Sequence, residues 1–377
     1  MNGDLYSDVT GRPSRRSSWA MRLADALLLL ATFCVAVAMT IVFIVPYVDP
    51  ARLWFLPLLG LAAPAIYVAA VVLALYWIIR WRWGWAGLML AFLLVGLFWM
   101  PLFWKPRLGR SYKPTTYAKS AVKVLSYNVR SFQDAAGGEC ADPMLQLIDS
   151  LNADIVCLQE FSRHAAERSP RYEALTEKYG SARFGLDEQA DFQLVILSKY
   201  RIVRSGVVLA PESSVWADLA VGDDTVRVYN NHLLTTSIKA ADNDYITNRD
   251  FIADADRERK FRSIAWRLRV SGMQRASQAD SIAEAMASQR VRRIVCGDFN
   301  DTPVSYVYRT MVRGAKDAFA EVGQGYSHTY RGFFDMLRID FIFGTPDLEA
   351  LSYEVPEAGC SDHLPVLVRF RPLELQN

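Results

Sequence analysis

Residues 360–370 read CSDHLPVLVRF, and residues 292–301 read RRIVCGDFND. In the first stretch Asp362 and His363 stand immediately before an apolar run of strand type. In the second, Asp298 and Asn300 close another such run. A strand that ends on Asp-x-Asn and a strand preceded by Asp-His bring two carboxylates, an amide and an imidazole to one rim of a β-structure. Asp298 and Asn300 are two apart, so on extended backbone both side chains point to the same face. Such a set can hold a divalent cation, orient a water molecule and stabilise a pentacoordinate phosphorus.

Working outward, other polar residues close apolar runs in the same manner. Asn128 ends AVKVLSYNVR (121–130), where it can orient a metal ligand or a phosphate oxygen, although a lone Asn there is more often a turn or strand-end residue. Glu160 ends ADIVCLQE (153–160) and suits a hard cation; alone it would read as a solvated side chain. His232 follows Asn230 and Asn231 at the end of TVRVYNNHLL (225–234) and suits proton transfer near neutral pH. Asp340 lies inside the apolar run LRIDFIFG (337–344), where a buried carboxylate needs a partner; His363 is the natural one. Arg338, in the same run, either pairs elsewhere or faces a substrate, and His328 in SHTYRG (327–332) is a further candidate for the site.

The chain has 377 residues and a net charge of +2, so its overall charge names no partner. Its five cysteines show no C-x-x-C or Cys/His spacing of a zinc site. Cys157 and Cys296 lie inside strand-like runs and read as small buried hydrophobes, whereas Cys140 and Cys360 lie in loops with their pairing left open.

Apolar residues are concentrated in the first hundred positions. After a tail at 1–22, three apolar stretches follow within 23–104, at about 23–45, 53–79 and 85–104, each long enough to cross ~30 Å of hydrocarbon as a helix. Tryptophans crowd their ends, as in an interfacial belt. Pro57 and Pro64 predict a kink or a late helix start in the second stretch. Arg12, Arg15, Arg16 and Arg22 before the first stretch, and Arg80 and Arg82 after the second, place the tail in the cytoplasm. An odd number of spans then puts the remainder of the chain on the extracytoplasmic side of the inner (cytoplasmic) membrane. Lys105, Arg107, Arg110 and Lys113 oppose that orientation, unless they lie on anionic headgroups or form a solvated linker. Residues 105–119 read as this linker, and 120–372 as one domain. In that domain strands alternate or pair between helices at 143–151, 247–290 and 304–313, without a regular βαβ rhythm. The arginine-rich face of 247–290 is either a binding surface for polyanions or a solvated helix face.

In chain order, SYNVR (126–130), DIVCLQE (154–160), ILSKYRI (196–202), VYNNHL (228–233), CGDFND (296–301), RIDFIF (338–343) and SDHLPV (361–366) resemble the endonuclease/exonuclease/phosphatase superfamily, the DNase I-like fold. The resemblance covers residues 120–371. GDFNDTPVSYVYRT (297–310) with HTYRGFFDMLRIDFIF (328–343) also resembles membrane-tethered members from Bacteroidetes-type bacteria. The resemblance implies a four-layer α/β (α+β) sandwich, with two mixed sheets face to face and helices outside. It implies a Mg²⁺-dependent hydrolase, with Mn²⁺ as the alternative ion, in which water attacks phosphorus in line. Glu160 would be the principal metal ligand, with Asn128 and Asp362 nearby. Asp298 would align or activate the water, and Asn300 would orient it or bind phosphate. His232 would be general acid or a donor to the transition state, and His363, supported by Asp340, base or phosphate stabiliser. Arg130, Asn231, Arg338 and His328 are candidates for contacts to substrate. Some nucleases of the superfamily carry Asp where this chain has Arg130, which weakens the abasic-endonuclease analogy and leaves the hydrolase class intact. The substrate stays open between lipid phosphoesters and nucleic acid, and no protein partner is implied. The alternative is a catalytically inactive, membrane-tethered binding module for phosphorylated ligands.

Overall fold

The structure, a computed structural model, describes residues 19–107, 121–134, 136–183, 193–209, 213–235, 256–289, 291–332 and 335–372. Most of the 1–22 tail, most of the 105–119 linker and the start of the expected 247–290 helix lie outside the described residues. The helices are α1 (Trp19–Ile44), α2 (Leu56–Leu61), α3 (Ala63–Ile79), α4 (Trp83–Gly96), α5 (Ala141–Leu151), α6 (Arg163–Glu167), α7 (Arg171–Tyr179), α8 (Arg257–Ala287), α9 (Tyr306–Met311) and α10 (Ala318–Val322). The strands are β1 (Trp104–Lys105), β2 (Val122–Asn128), β3 (Ile155–Phe161), β4 (Ser181–Arg183), β5 (Gln193–Ser198), β6 (Ile202–Leu209), β7 (Ser214–Val221), β8 (Asp224–His232), β9 (Arg293–Asp298), β10 (Lys316–Asp317), β11 (Gly325–Tyr326), β12 (Asp340–Gly344), β13 (Leu348–Glu354) and β14 (Val366–Pro372).

Two compact units form. The first comprises Met1–Thr40 and Pro64–Val95; the second comprises Ile41–Ala63 and Gly96–Asn377. In the first, Asp25 pairs with Arg80 at 2.7 Å, and the Trp77 indole donates to Thr32 Oγ1 at 2.7 Å. Among the described residues one helix, rather than three, is long and apolar enough to span a membrane. The helical stretch Trp19–Tyr47 is apolar and 29 residues long, about 43 Å at 1.5 Å per residue, and suffices to cross a bilayer. The other two apolar helices have 17 and 14 residues, about 26 and 21 Å, short of the ~30 Å required. Proline sets the first shortening. Pro57 starts α2, and Pro64 lacks the N–H that would continue α2, so the helix ends and α3 begins with Pro64 in its first turn. The stretch expected at 85–104 stops at Gly96, before the Met100–Leu102 turn that carries Pro101.

In the second unit, two six-stranded mixed sheets run in the orders β13-β14-β2-β3-β5-β4 and β10-β12-β9-β8-β7-β6. The β2–β3 and β8–β9 pairs are parallel. Alternation sorts the strand residues by face. Val122, Val124, Ile155 and Cys157 from one sheet meet Val226, Val228, Ile294 and Cys296 from the other in a buried layer. The opposite face of the first sheet, with Leu125, Val156 and Leu158, is covered by α5, α6 and α7 through Met144, Ile148, Ala166 and Leu175. The opposite face of the second, with Tyr229, Val295 and Phe343, is covered by α8 and α9 through Ile282, Met286, Val307 and Met311. Cys157 and Cys296 are the buried hydrophobes that their strands require.

Cys140 and Cys360 are joined as a disulfide with a Cα–Cα distance of 6.1 Å. It ties the residue before α5 to the loop that carries Asp362 and His363, across 220 positions of sequence. The purified, unreduced protein should therefore resist alkylation at Cys140 and Cys360. Reduction should lower its unfolding free energy by about 2–5 kcal/mol, read as a fall in Tm. Quantitative alkylation of both residues without reductant would show that the bridge is not present.

Candidate active site

Each column of side chains between the sheets starts apolar and turns polar at the same end. On β2, Val122 and Val124 give way to Ser126 and Asn128. On β3, Ile155 and Cys157 give way to Gln159. On β8, Val226 and Val228 give way to Asn230 and His232. On β9, Ile294 and Cys296 give way to Asp298. β12 runs the opposite way and so begins on Asp340. Pairing puts His232 opposite Asp298 and Asp298 opposite Asp340, a rung of three functional side chains on one sheet. Asn128 faces Gln159 on the other sheet. β14 pairs antiparallel with β2, which carries the preceding Asp362 and His363 to the Asn128 end. Ser361 fixes that approach, donating from Oγ to the Asn128 carbonyl at 2.8 Å.

Two backbone departures aim the carboxylates. Strict alternation would send Glu160 to the helix-covered face with Val156 and Leu158. The pairing of β3 with β5 slips between Leu158 and Phe161, and Glu160 takes φ 50°. Phe161 rather than Glu160 then enters that apolar layer, and Glu160 turns to the cleft. Asn300 takes φ 52°, and its backbone N–H donates to Asp298 Oδ1 at 2.8 Å. Gly297 has φ +133°, and a Cβ there would lie 1.9 Å from the Asn231 carbonyl oxygen. Glycine alone lets β8 and β9 close where His232 meets Asp298.

Asp298, 1% exposed, is the hub. Its Oδ2 accepts from Asn128 Nδ2 and from Asn300 Nδ2, both at 3.1 Å. His363 Nε2 lies 3.6 Å from the same oxygen and His232 Nε2 3.8 Å. Asn128 also donates to Glu160 Oε1 at 3.0 Å, and His232 Nε2 stands 3.4 Å from that atom. Behind this layer, His363 Nδ1 is 3.0 Å from Asp340 Oδ2. Burial alone would lower the His363 pKa, but the Asp340 and Asp298 carboxylates outweigh it and push it up to about 10. The two carboxylates thus favour the imidazolium form of His363. Tyr330 packs its ring 5.1 Å from the His363 ring, and burial pushes its phenol up to about 12, keeping it a neutral donor.

The cleft, about 230 Å³, is lined by Arg130, Glu160, Asp298, Asn300, Asp362, His363 and Tyr330 among others. Arg130, at φ 44°, sits 3.8 Å from Asp362. Three candidate substrate contacts do not reach the cleft. Asn231 is fully buried; its Oδ1 accepts from Ser214 and its Nδ2 donates to the Cys296 carbonyl. Its parity on β8 is opposite to that of His232, so it faces away. Arg338 is 2% exposed and is consumed by Asp317 at 2.7 Å and by the Leu102 carbonyl at 2.8 Å. His328 stands against Asp335 at 3.6 Å and stacks on Tyr326, outside the lining. The sequence reading missed Tyr330 and the buried pair of Asp301 with Arg275 at 3.7 Å. Asp301 stands in the GDFND motif and could have been suspected. Arg275 sits in the middle of α8, and no local pattern marks it.

Glu160, Asp298, Asp301 and Asp362 line the cleft, with Asp340 behind them. Among the described residues, Arg130, Arg275 and His363 are the basic groups that face them. Carboxylates therefore outnumber cations, and His232 Nε2 is buried without a hydrogen-bond partner. Both features fit a divalent cation. Asp298, Asp340 and His363 place ligand atoms within 4.8 Å of one another. Asp340, however, is 1% exposed and engaged with His363, whereas Glu160 and Asp362 present oxygens to the open cleft.

Residues 125–363 match the Endonuclease/Exonuclease/phosphatase family, and residues 25–103 match a domain of unknown function, DUF8431. No curated protein matches the chain. Among solved structures, an endonuclease/exonuclease/phosphatase from Bacteroides vulgatus is 19% identical at a TM-score of 0.48, covering 67% of this chain and 99% of its own. One from Beutenbergia cavernae is 17% identical at 0.47, covering 67% and 72%. TDP2 from D. rerio, complexed with single-strand DNA product, is 15% identical at 0.49, covering 67% and 99%.

In the metal-free protein, the His363 ion pair should contribute stability below the ordinary histidine pKa of ~6.5 and lose it as pH rises through about 10. Asp340→Asn removes the nearest carboxylate and should move the His363 titration down toward the ordinary value. NMR titration of the imidazole reads this directly; an unchanged midpoint would show that Asp340 does not set it.

Proposed function

The chain belongs to the endonuclease/exonuclease/phosphatase family, which matches more than half of its length, and on that premise we propose a metal-dependent phosphoester hydrolase. The observation that carries the reading is the rung His232–Asp298–Asp340 facing Asn128 and Glu160, with Asp362 and His363 delivered to the same rim. Glu160 and Asp362, with Asn128 beside them, would hold a divalent cation, Mg²⁺ or Mn²⁺; bound there, it would supply Lewis acidity and neutralise charge on the phosphoryl oxygens.

The chain's own residues do the remainder. Asp298, held by Asn128 and Asn300, has a carboxylate oxygen fixed at the cleft and takes a proton from the attacking water. The water oxygen forms the new bond to phosphorus as the ester P–O bond breaks in line with it. His232 gives its proton to the departing oxygen. His363, kept cationic by Asp340, faces the phosphoryl oxygens as their charge develops. Arg130 is placed to bind a non-reacting anionic oxygen. Asn231, Arg338 and His328 have no part in these steps. We further propose that the apolar Trp19–Tyr47 helix anchors the chain and that the hydrolase unit lies outside the cytoplasm. The basic residues before that helix and the Cys140–Cys360 disulfide support this side.

Full-length protein should hydrolyse phosphoesters with Mg²⁺ and lose activity in EDTA. His363→Ala should lower kcat by about 10²–10³, and His232→Ala by about 10²–10⁴. Glu160→Gln should shift the metal concentration needed for half-activity upward. A folded wild-type protein inert toward DNA, RNA, lipid phosphodiesters and phosphomonoesters alike would favour the binding-module alternative.

A further inference from the structure

The cleft has a second wall that the hydrolysis itself does not use. It is formed by Trp54, Pro57, Leu58 and Leu61, with Leu268 and Leu337 contributing from the sandwich. The first four come from α2 and the residues just before it, the stretch that connects α1 to α3. This stretch is built into the second unit. At Gly60 a Cβ would be in ordinary van der Waals contact, 3.4 Å from Val45 Cγ1 and 3.7 Å from both Thr302 Oγ1 and Val304 Cγ2. The Arg309 guanidinium lies 3.6 Å over the Tyr47 ring, and the Arg269 guanidinium 5.7 Å from the Trp54 ring. Thr302 itself lines the cleft, two residues after Asn300. The apolar wall and the phosphoryl site are thus one surface.

The chemistry of this wall selects what lies on it. Proline and leucine side chains have no hydrogen-bonding groups with which to read a base or a sugar, and they are stabilised by covering hydrocarbon. A single-strand channel would instead present several aromatic platforms along a cationic groove. Among the described residues, Trp54 is the one aromatic side chain in this wall, and Tyr330 is the other in the cleft. Arg275 and Asp301 offset each other, and Glu160, Asp298 and Asp362 repel phosphates beyond the one that a bound cation would neutralise, with Arg130 the other lining arginine among the described residues. One phosphoryl group over a cation fits the polar wall, and an aliphatic chain fits the other.

We infer that the substrate is an amphiphilic phosphoester, a lipid phosphate or lipid phosphodiester, whose hydrocarbon chain lies on the α2 wall. This rests on the hydrolase reading and narrows its substrate. The wall-forming stretch begins at Trp54, seven residues after Tyr47 ends the helix that is long enough to anchor the chain in a bilayer, so the element that meets the hydrocarbon is covalently joined to the one that would meet the membrane.

The test uses full-length protein in nanodiscs with Mg²⁺. Its substrates are two homologous series, ethyl to octyl, supplied below micelle-forming concentration. Alkyl 4-nitrophenyl phosphodiesters are followed by nitrophenolate release, and alkyl monophosphates by phosphate release. Single-stranded and duplex DNA form a third arm. In the series that is turned over, kcat/KM should rise by about fourfold per methylene until the wall is covered, with the change in KM. Leu58→Asn and, separately, Leu61→Asn should cut the octyl-to-ethyl ratio by at least about tenfold. Because the readout is a ratio within one protein, a variant that merely misfolds loses both esters and leaves the ratio of its surviving fraction unchanged. Equal turnover of ethyl and octyl esters overturns the inference and keeps the hydrolase. Preference for DNA over every alkyl ester overturns it in favour of a nuclease. No turnover in any arm sinks the hydrolase reading and the inference with it.

Discussion

One buried carboxylate organises this molecule's chemistry. Asp298 is almost fully removed from solvent, and a charge so placed is costly unless it is surrounded by donors. Its hydrogen-bond donors are Asn128 from β2 and Asn300 from the residue pair after β9, and two imidazoles, His232 from β8 and His363 from the loop before β14, stand 3.8 and 3.6 Å from the same oxygen. Asp298 therefore draws side chains of both sheets together at the rim: Asn128, Asn300, His232 and His363 converge on it. Gly297 makes the arrangement sterically feasible, since any side chain there would collide with the β8 backbone.

The polar columns behind the site extend the same logic. Gln159 donates to Asn230 Oδ1 across the sheet interface at 2.6 Å, and Asn230 donates in turn to the carbonyls of Leu158 and Val195. These are fully buried amides, so each missing partner would be costly. The network locks the register of β8 against β3 and β5, and a slip by one residue would turn His232 away from Asp298. The site and the core are therefore stabilised by the same contacts, and the strained residues Glu160 and Asn300 are held by structure on both sides.

The residues that lie at strand ends on the inter-sheet face could be read from the sequence, because a period of two fixes their face and an adjoining apolar run fixes their depth. Asn128, His232, Asp298 and Asp340 belong to this class. Glu160 was legible by type and position, but its direction depends on a bulge that no local pattern marks. For Arg338 and Asn231 the sequence does not say where the polar side chain finds its partner, and of the two readings open for Arg338 the structure has the one in which it pairs elsewhere. Arg338 is held by Asp317 and Leu102, and Asn231 by Ser214 and Cys296. The three apolar stretches met the compositional requirement for spanning a bilayer, but only one met it as a continuous helix, because Pro57 and Pro64 restart the second and Gly96 ends the third.

The sequence by itself determined the strands, the polar residues at their ends, the family and the apolar helix at the start of the chain. Each of these follows from local periodicity or from short motifs whose side chains act within a few residues of one another. Tertiary structure decided the approach of β8 to β9 at Gly297, the turn of Glu160 into the cleft, the joining of Cys140 to Cys360 and the capture of Arg275 by Asp301. It also decided that residues 54–61, which in sequence are only the start of an apolar stretch, form a wall of the cleft. These pairings depend on packing between segments tens to hundreds of residues apart, and neither periodicity nor a short motif carries information over that distance.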